Sequence, residues 1–492
     1  SMMAYRAPDR KKPHTPIAEK MAAYAADGAL AFHTPGHKQG KGAHEALRKL
    51  VTAEGLREEV SLMEELDDIH SPSGCIKEAE ELAARLYGAK AAYFMVNGTS
   101  GAIHTMLLAA LSPGDTVLVQ RNAHRSVYSA LVLLGARPIY LAPEVDERLG
   151  IAHGVAPATI VRAIQRHPEA RAAVLVNPTY YGITTELDEI AEYLHNKGRL
   201  LLVDEAHGPH LAFCDRLPQD AIAAGADMAA QSTHKILGAM TQGSLLLANG
   251  DHVDYARIRE TTGILTTTSP NQLLLASIDI ARLQMEESGR EAIERATALA
   301  EKLRQDINKI PGLWSPGKDD FSRAGAVGLD LTKVTVNLAG LTITAIKAEK
   351  VLRHSYKVQC ELSDPENLLF ILSYADSENE TAVLLAALKD LAQKYLGKGK
   401  EQPCTAAMPP LPKTKMTPRE AFFAERESVS VKEAAGRIAA EEITCYPPGI
   451  PALVPGDVVT EEVLRYLERM RKFGRRTIGA RDADFEKIVV VK

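Results

Sequence analysis

Two short segments decide the fold of this chain, Met228-Ala-Ala-Gln-Ser-Thr-His-Lys-Ile-Leu-Gly-Ala-Met240 and Leu201-Leu-Val-Asp-Glu-Ala-His207. Each begins as a short apolar strand and then turns polar, the first at Lys235 and the second at Asp204. Where strands alternate with helices, the sheet is largely parallel and ligands bind at the carboxyl ends of its strands. The two segments therefore predict an amine and a carboxylate at one edge of a sheet.

This pairing is the one that pyridoxal 5'-phosphate (PLP) requires. A lysine amine condenses with the aldehyde of PLP as a Schiff base, and a carboxylate pairs with the protonated pyridine nitrogen so that the ring can accept electrons. Taken alone, Lys235 has a simpler interpretation as a solvated surface lysine. The rest of the sequence has to decide between the two.

The composition is that of a globular protein with more than one domain. The 492 residues are 46% hydrophobic and 25% charged with a net charge of −5, which indicates neither a nucleic-acid partner nor an anionic-membrane surface. The sequence contains no apolar run of about 18 residues, the length that would predict a membrane span. The five cysteines are scattered without CxxC spacing, as expected of reduced thiols in a cytoplasm. We therefore expect a cytoplasmic protein of enzyme size.

The hydrophobic pattern predicts an α/β fold with a mostly parallel sheet. The predicted strands are 91–96, 116–120, 138–141, 172–176, 200–204, 228–231 and 244–247, and the helices between them include 78–87, 101–111, 127–134 and 157–165.

Five segments follow from shifts in pattern. Thr417-Pro-Arg-Glu420 is a helix capping box with proline at the first helical position, which marks the start of a C-terminal domain. The predicted segments are an N-terminal arm (1–45), a PLP-binding large domain (46–319), a small α+β domain (320–397), a Pro-rich linker (398–416) and a C-terminal domain (417–492).

A phosphate site is predicted after the strand 91–96. Asn97-Gly-Thr-Ser-Gly101 places small residues at a helix N-terminus, where backbone N–H groups and the hydroxyls of Thr99 and Ser100 can bind an anion. Ser232 and His234 can add contacts from beside Lys235. The alternative is a plain N-cap turn.

A histidine follows the next strand, in Arg121-Asn-Ala-His-Arg-Ser126. An imidazole at this sheet edge can stack on a flat cofactor ring and titrate near neutral pH. The alternative is that His124 caps a helix or faces solvent.

Three other chemistries find no support. Asp204-Glu-Ala-His207 spells a helicase signature, but the chain has no P-loop, and GxGxxG is absent. Histidines 33, 37 and 44 suggest a metal site, yet Pro35-Gly36 rules out the helical face that such ligands need. We expect no metal.

Seven segments together resemble the bacterial ornithine/lysine/arginine decarboxylases, PLP enzymes of the aspartate-aminotransferase fold (fold type I). They are Phe32-His-Thr-Pro-Gly-His-Lys38, Asp68-Ile-His-Ser-Pro-Ser-Gly74, Asn97-Gly-Thr-Ser-Gly101, Arg121-Asn-Ala-His124, Val203-Asp-Glu-Ala-His207, Ser232-Thr-His-Lys235 and Tyr446-Pro-Pro-Gly-Ile-Pro451. They occur in the family's order. Because the chain has no room for the extra N-terminal receiver-like domain of the large inducible members, it resembles the shorter biosynthetic branch, in which arginine decarboxylases are prominent.

The resemblance implies a role for each site residue. Lys235 would form the Schiff base, Asp204 would hold the pyridine nitrogen, and His124 would stack on the ring. The phosphate would be bound by Gly98, Thr99, Ser100, Ser232 and His234, and His207 would lie near the ring's 3-hydroxyl. Thr268 and Ser269, in Thr266-Thr-Thr-Ser-Pro270, would reach the phosphate of a neighbouring subunit, which implies a homodimer or larger homo-oligomer with shared sites.

A basic substrate tail requires an acid. Glu441, four residues before Cys445 and the Tyr-Pro-Pro-Gly segment, is the candidate, with Cys445 as a second substrate contact; the alternative is an ordinary structural glutamate.

The expected reaction is decarboxylation of a basic L-amino acid, with arginine and agmatine (polyamine biosynthesis) preferred and lysine or ornithine as alternatives. An aminotransferase remains open, since Arg353 could bind an α-carboxylate, although the histidine over the ring and the Tyr-Pro-Pro-Gly segment favour decarboxylation. A non-catalytic regulatory protein of the same fold is the alternative of another class, and the intact lysine, aspartate and Gly-Thr-Ser loop argue against it.

Overall fold

Strands and helices alternate along most of the chain, as the hydrophobic pattern predicts. The computed structural model describes residues 14–61, 63–398, 407–472 and 476–492. Cys404, the start of the predicted arm and residues 399–406 of the predicted linker lie outside the described residues. The four cysteines inside them, at positions 75, 214, 360 and 445, are free and buried.

The helices begin and end close to the predicted positions. In chain order they are α1 Pro16–Asp27, α2 Glu45–Val51, α3 Ala53–Glu58, α4 Cys75–Tyr87, α5 Gly98–Ala110, α6 Arg125–Leu134, α7 Pro157–Arg166, α8 Leu187–Asn196, α9 Ala221–Ala224, α10 Thr233–Ile236, α11 Tyr255–Leu265, α12 Gln272–Ile307, α13 Ala345–Ser355, α14 Glu378–Tyr395, α15 Pro418–Phe423 and α16 Glu461–Lys472. None of them, within the part of the chain that is described, is long and apolar enough to cross a membrane.

The strands are short, and most lie where apolar residues cluster. They are β1 Ala91–Met95, β2 Thr116–Gln120, β3 Arg137–Leu141, β4 Val145–Asp146, β5 Ile151–Ala152, β6 Ala172–Val176, β7 Ile183–Thr184, β8 Leu200–Glu205, β9 Met228–Gln231, β10 Ser244–Ala248, β11 Gly328–Leu329, β12 Lys333–Asn337, β13 Leu362–Ser363, β14 Asn367–Ile371, β15 Arg426–Ser430, β16 Ile443–Tyr446, β17 Ile450–Leu453, β18 Arg476–Ile478 and β19 Lys487–Val491.

The chain forms two compact units. The first contains the residues up to Ala110 together with Leu200–Ala292, and the second contains Leu111–Arg199 together with Ile293–Lys492. These units follow spatial contacts, whereas the predicted five segments follow shifts in sequence pattern. The five-segment division therefore stays a prediction.

In the first unit four strands lie side by side in the order β1-β10-β9-β8. Strands β8 and β9 are parallel, with Asp204 opposite Ala230, whereas β10 runs antiparallel to both of its neighbours. Almost every strand residue is buried, because helices cover both faces of such a sheet and the strands read as continuous Leu, Val and Ala.

The N-terminus of α4 in the first unit is held by a buried carboxylate. Asp67 accepts hydrogen bonds from the backbone N–H groups of Ser73 (2.9 Å), Gly74 (2.8 Å), Ile76 (3.0 Å) and Lys77 (3.3 Å). Burial raises the pKa of this carboxyl, but the N–H donors lower it further, and its pKa lies below the usual value. The Asp68–Gly74 segment is therefore wrapped around the anion that caps the helix.

In the second unit β6, β2 and β3 are neighbours and all parallel. A smaller antiparallel sheet, β12-β14-β13, forms an apolar core with α13 and α14. Near the end of the chain, β16 pairs with β17 and β18, and β15 pairs with β19. The predicted capping box at Thr417 is present, with Pro418 at the first helical position of α15.

A buried ion pair joins the end of β2 to the β17 region. Arg121 donates from Nη2 to Asp457 Oδ2 at 2.7 Å, and both side chains are fully buried. The same guanidinium donates from Nε to the Pro451 carbonyl at 2.9 Å and from Nη2 to the Ala452 carbonyl at 3.2 Å. The arginine of the Arg-Asn-Ala-His segment thus has a structural role.

We expect Asp457→Asn to destabilise the fold strongly. The substitution keeps the size of the side chain but leaves Arg121 buried without a counter-charge, which costs about 3–5 kcal/mol. Urea unfolding measures the change. The control is Glu461→Gln, which breaks an exposed pair with Arg465 and should cost under about 0.5 kcal/mol. Equal effects of the two variants would contradict the prediction.

Candidate active site

Lys235 lies just beyond the end of β9. The strand stops at Gln231, Ser232 follows, and the chain then makes the single turn of α10. The Lys235 N–H donates to the Ser232 carbonyl at 3.1 Å, and the His234 N–H donates to the Gly243 carbonyl at 2.9 Å. The Lys235 side chain is exposed, so its amine is accessible on the single chain.

Asp204 lies one residue before the end of β8, the strand beside β9. Its side chain is buried, and Oδ1 accepts the Ala206 N–H at 3.1 Å. Burial raises the pKa of the carboxyl to about 6, and the Ala206 N–H and the charge of Lys235 oppose the rise. The structure therefore brings the predicted carboxylate within electrostatic reach of the predicted amine.

The predicted phosphate loop begins helix α5. Thr99 and Ser232 are hydrogen-bonded to each other through their hydroxyls, so the loop and the segment before Lys235 meet. Gly98 has a φ of 64°, which favours glycine, and open space lies where a Cβ would stand. Helix α5 has 13 residues, and Ser100 lies in its first turn.

Two histidines flank this set. His207 is buried and follows Asp204 by three residues. His234 is partly buried, and burial followed by the charge of Lys235 lowers the pKa of its imidazole. A neutral His234 can still donate one hydrogen bond to an anion.

Thr268 and Ser269 lie in the loop between α11 and α12, also in the first unit. Both side chains are exposed. The backbone of the loop is anchored by His70, whose Nε2 lies 3.1 Å from the Thr266 carbonyl oxygen and 3.0 Å from that of Thr267. The loop is thus fixed while its hydroxyls face outward.

His124 belongs to the second unit and caps helix α6. Its Nδ1 accepts the Ser126 N–H at 3.1 Å and lies 2.7 Å from Ser126 Oγ. Because Nδ1 accepts an N–H, the proton of the neutral ring is on Nε2. The imidazole is exposed, so the capping hydrogen bond orients a ring that stays accessible. His124 can therefore cap helix α6 and still present its ring to a cofactor.

Glu441 and Cys445 also lie in the second unit. Glu441 precedes β16, and its Oε2 accepts the Arg481 N–H at 3.4 Å. Burial raises the pKa of the Glu441 carboxyl, and the Arg481 and Val489 N–H groups oppose the rise. The Cys445 thiol is buried in the core of the last 80 residues, where burial raises its pKa to about 12.

One residue of this region was missed by the sequence reasoning. Glu205 is fully buried beside Asp204, and it accepts the Ala221 N–H at 2.5 Å and the Gln231 Nε2 donor at 2.7 Å. Gln231 directly precedes Ser232, so Glu205 ties the strand that bears Asp204 to the strand that leads to Lys235. The sequence did carry a signal for this residue. Successive side chains of a strand point to opposite faces, so the acid next to Asp204 is expected on the other face of the sheet.

The residues of the first unit fit PLP. An accessible amine at Lys235, a buried carboxylate at Asp204 and a hydroxyl pair at a helix N-terminus are the three donor types that the aldehyde, the pyridine nitrogen and the phosphate of PLP need. The open space at Gly98 leaves room for a phosphate beside the backbone.

Comparisons with known proteins show the family of this chain. Residues 15–318 match the family described as Orn/Lys/Arg decarboxylase, major domain, and residues 401–482 match its C-terminal domain. The chain is similar to an arginine decarboxylase of Halalkalibacterium halodurans, with 40% identity over 98% of each chain. It is equally similar to an arginine decarboxylase of Bacillus subtilis, with 40% identity over 97% of this chain and 98% of the relative.

The fold is also found among solved structures. The Francisella novicida lysine decarboxylase LdcF superposes with a TM-score of 0.83 over 98% of this chain and 82% of its own, at 24% identity. The predicted α/β fold, that of PLP-dependent decarboxylases, is thereby confirmed. The chain belongs to the Orn/Lys/Arg decarboxylase family.

Proposed function

We propose that this chain binds PLP and decarboxylates L-arginine to agmatine and CO₂. The observation that carries the proposal is the first-unit cluster, in which Lys235 acts electrostatically on the buried carboxyl of Asp204 and Thr99 is hydrogen-bonded to Ser232. Family membership supplies the reaction class, and the cluster supplies the residues.

Arginine is favoured over lysine and ornithine by sequence similarity. The relatives called arginine decarboxylases share 40% of their residues with this chain over nearly their whole length, whereas the superposed lysine decarboxylase shares 24%. Decarboxylation consumes one proton per turnover, since the carboxylate at Cα is replaced by hydrogen.

Each residue has a defined task in this proposal. When bound, PLP supplies an aldehyde carbon that links to amines and a ring that accepts the electron pair left by CO₂. Asp204 keeps a proton on the pyridine nitrogen, which makes the ring a better electron acceptor. Gly98, Thr99, Ser100, Ser232 and His234 would hold the phosphate, and His207 would interact with the 3-hydroxyl.

Two residues handle the substrate's reacting end. The His124 imidazole would lie against the cofactor ring and help to orient the substrate's α-carboxylate. The Lys235 amine would hold the cofactor and would carry the proton that is delivered to Cα. The Nε2–H tautomer set by the helix cap leaves a donor on the exposed side of His124.

The assembly proposed is a cytoplasmic homodimer with shared sites. The exposed hydroxyls of Thr268 and Ser269, on a loop anchored by His70, support contact with the phosphate of a neighbouring subunit. The five-segment division of the chain and the substrate contacts of Glu441 and Cys445 stay predictions.

The direct experiment is incubation of the PLP-loaded protein with arginine, lysine and ornithine separately, followed by identification of the amine released. Agmatine formed fastest supports the proposal, and no amine from any of the three overturns it. Adding pyruvate tests the aminotransferase alternative, for which alanine would be the product.

Lys235→Ala should abolish both turnover and the covalent link to PLP. Lys235 is the cation that acts on the Asp204 carboxyl, so borohydride reduction followed by mass spectrometry should find no cofactor on the variant. The control, Lys197→Ala, removes an exposed lysine and should keep the link. A reducible link in the first variant would refute the assignment.

Asp204→Asn should lower turnover by several powers of ten and weaken PLP binding, because the pyridine nitrogen loses its carboxylate. A second readout is the stability of the cofactor-free protein. The folded pKa of about 6 lies above the reference 3.8, so ionised Asp204 destabilises the fold by about 3 kcal/mol once pH rises above 6, and not below pH 3.8. Cofactor-free Asp204→Asn should therefore melt above the wild type at pH 8. A lower melting temperature, or turnover within a few-fold of wild type, would count against this role.

Subunit exchange tests the shared site. Lys235→Ala and the double variant Thr268→Ala/Ser269→Ala should each be inactive, yet mixing them should restore about a quarter of wild-type activity, because about half the dimers are hybrids with one intact site. Mixing Lys235→Ala with Asp204→Asn is the control and should restore nothing, since both changes fall on the same side of the shared site. Verified hybrids without activity would show that each site is built from one chain.

A further inference from the structure

The second unit contains a pocket at the carboxyl ends of β2 and β6. Its volume is about 420 Å³. Asn122 follows β2 and lies two residues before His124, while Thr179, Tyr180 and Tyr181 follow β6. The carboxyl ends of parallel strands are where ligands bind in this class of fold.

The pocket carries one acid and no basic side chain among its described lining residues. The acid is Asp364, which is 8% exposed. Its Oδ2 accepts from Tyr181 Oη at 2.5 Å, and its Oδ1 accepts the N–H groups of Glu366 and Asn367, each at 2.8 Å. The Asn367 side-chain amide also donates to Oδ1 at 3.1 Å and to Oδ2 at 3.0 Å, so every donor to this carboxylate is a neutral group. No basic side chain in the described ranges forms an ion pair with it.

These contacts hold Asp364 in place without neutralising it. Burial raises the pKa of the carboxyl, and the donors Tyr181 and Asn367 oppose the rise. A buried carboxylate that lacks a counter-charge gains from a cationic ligand, because the charge of the ligand offsets the lost hydration.

Three tyrosines form the other walls of the pocket, Tyr180, Tyr181 and Tyr446. Burial raises the pKa of Tyr180 to about 12, and its Oη donates to Glu361 at 3.1 Å, so the ring stays neutral. Aromatic faces beside a carboxylate suit a guanidinium, which is planar, weakly hydrated and able to stack.

The Tyr446-Pro-Pro-Gly449 segment closes the pocket. Gly449 has a φ of 82°, and a Cβ there would lie 2.5 Å from Cε1 of Tyr446. Only glycine therefore lets the loop fold against the tyrosine ring. Pro448 and Gly449 line the pocket with Tyr446, whereas Glu441 and Cys445 do not.

We propose that this pocket binds the cationic end of the substrate's side chain, with Asp364 as the counter-charge and the tyrosines as the aromatic walls. The inference rests on the proposed function, since it assigns the tail-binding site of the same enzyme. The sequence predicted Glu441 for this role, but Glu441 is not among the residues that line the pocket, and its Oε2 accepts the Arg481 N–H at 3.4 Å.

Equilibrium binding to the PLP-loaded full chain tests the proposal without turnover. The probes are agmatine, which is cationic, and N-carbamoylputrescine, which carries a neutral urea in place of the guanidinium. Asp364→Asn keeps the size of the side chain and removes its charge. It should weaken the binding of agmatine about 10- to 100-fold, because the guanidinium loses its counter-charge, and leave the binding of the analogue with the uncharged urea end unchanged.

Glu361→Gln is the matched control, because it removes an equal charge three residues away from Asp364 and outside the pocket lining. It should change neither affinity. The ratio of the two affinities within one preparation is independent of the folded fraction, so a partly misfolded variant still gives an answer. An unchanged ratio for Asp364→Asn, or the same loss in Glu441→Gln instead, overturns the proposal.

Inhibition by agmatine separates the substrate tail from a distinct amine site. Competitive inhibition against arginine, with a higher KM and a nearly unchanged kcat in Asp364→Asn, supports the tail assignment. Non-competitive inhibition overturns it. If the wild type releases no amine from any basic amino acid, the proposed function fails, and the binding ratio still reports on the pocket.

Discussion

The buried pair of Arg121 and Asp457 is the constraint on which the second unit depends. Two fully buried charges 2.7 Å apart are tolerable only together, so the end of β2 and the loop after β17 cannot separate without a large cost. The same guanidinium holds the carbonyls of Pro451 and Ala452, just beyond the Tyr446-Pro-Pro-Gly449 segment. Because Asn122 directly follows the arginine and also lines the tyrosine-lined pocket, one ion pair positions residues on both sides of that pocket.

A buried carboxylate has the corresponding role in the first unit. Glu205 accepts a hydrogen bond from the Gln231 side chain across the β8–β9 pair. In a strand, the residue next to each of these two points to the opposite face of the sheet. Asp204 is that neighbour on β8, and Ser232, which leads to Lys235, is that neighbour on β9. The groups that would meet the cofactor are thus fixed by a hydrogen bond on the face they do not use.

The sequence predicted what depends on local pattern and missed what depends on pairing. Strand and helix positions followed from apolar periodicity and caps, and Lys235, Asp204 and the Gly-Thr-Ser loop stood at strand ends as expected. The reversed direction of β10 could not be predicted, because its apolar run is the same in either direction. Arg121 was quoted only as part of a motif, and Asp364 was not singled out at all. Arg121 is separated from its partner Asp457 by 336 positions in the sequence, and Asp364 from its partner Tyr181 by 183. Hydrophobic periodicity carries no information about contacts between residues so far apart.

The two units share one electrostatic design. Asp204 and Asp364 are each buried, each held by hydrogen-bond donors, and each has a pKa raised by burial. A protein without ligands carries the cost of both charges. In the proposed function the protonated pyridine nitrogen would offset the first charge and the basic end of the substrate would offset the second, so each ligand would be selected by a buried negative charge. Selection by an uncompensated charge discriminates strongly against neutral analogues, because such an analogue leaves the carboxylate buried without a partner. The preference for basic amino acids then follows from the cost of an empty pocket as much as from the contacts in a filled one.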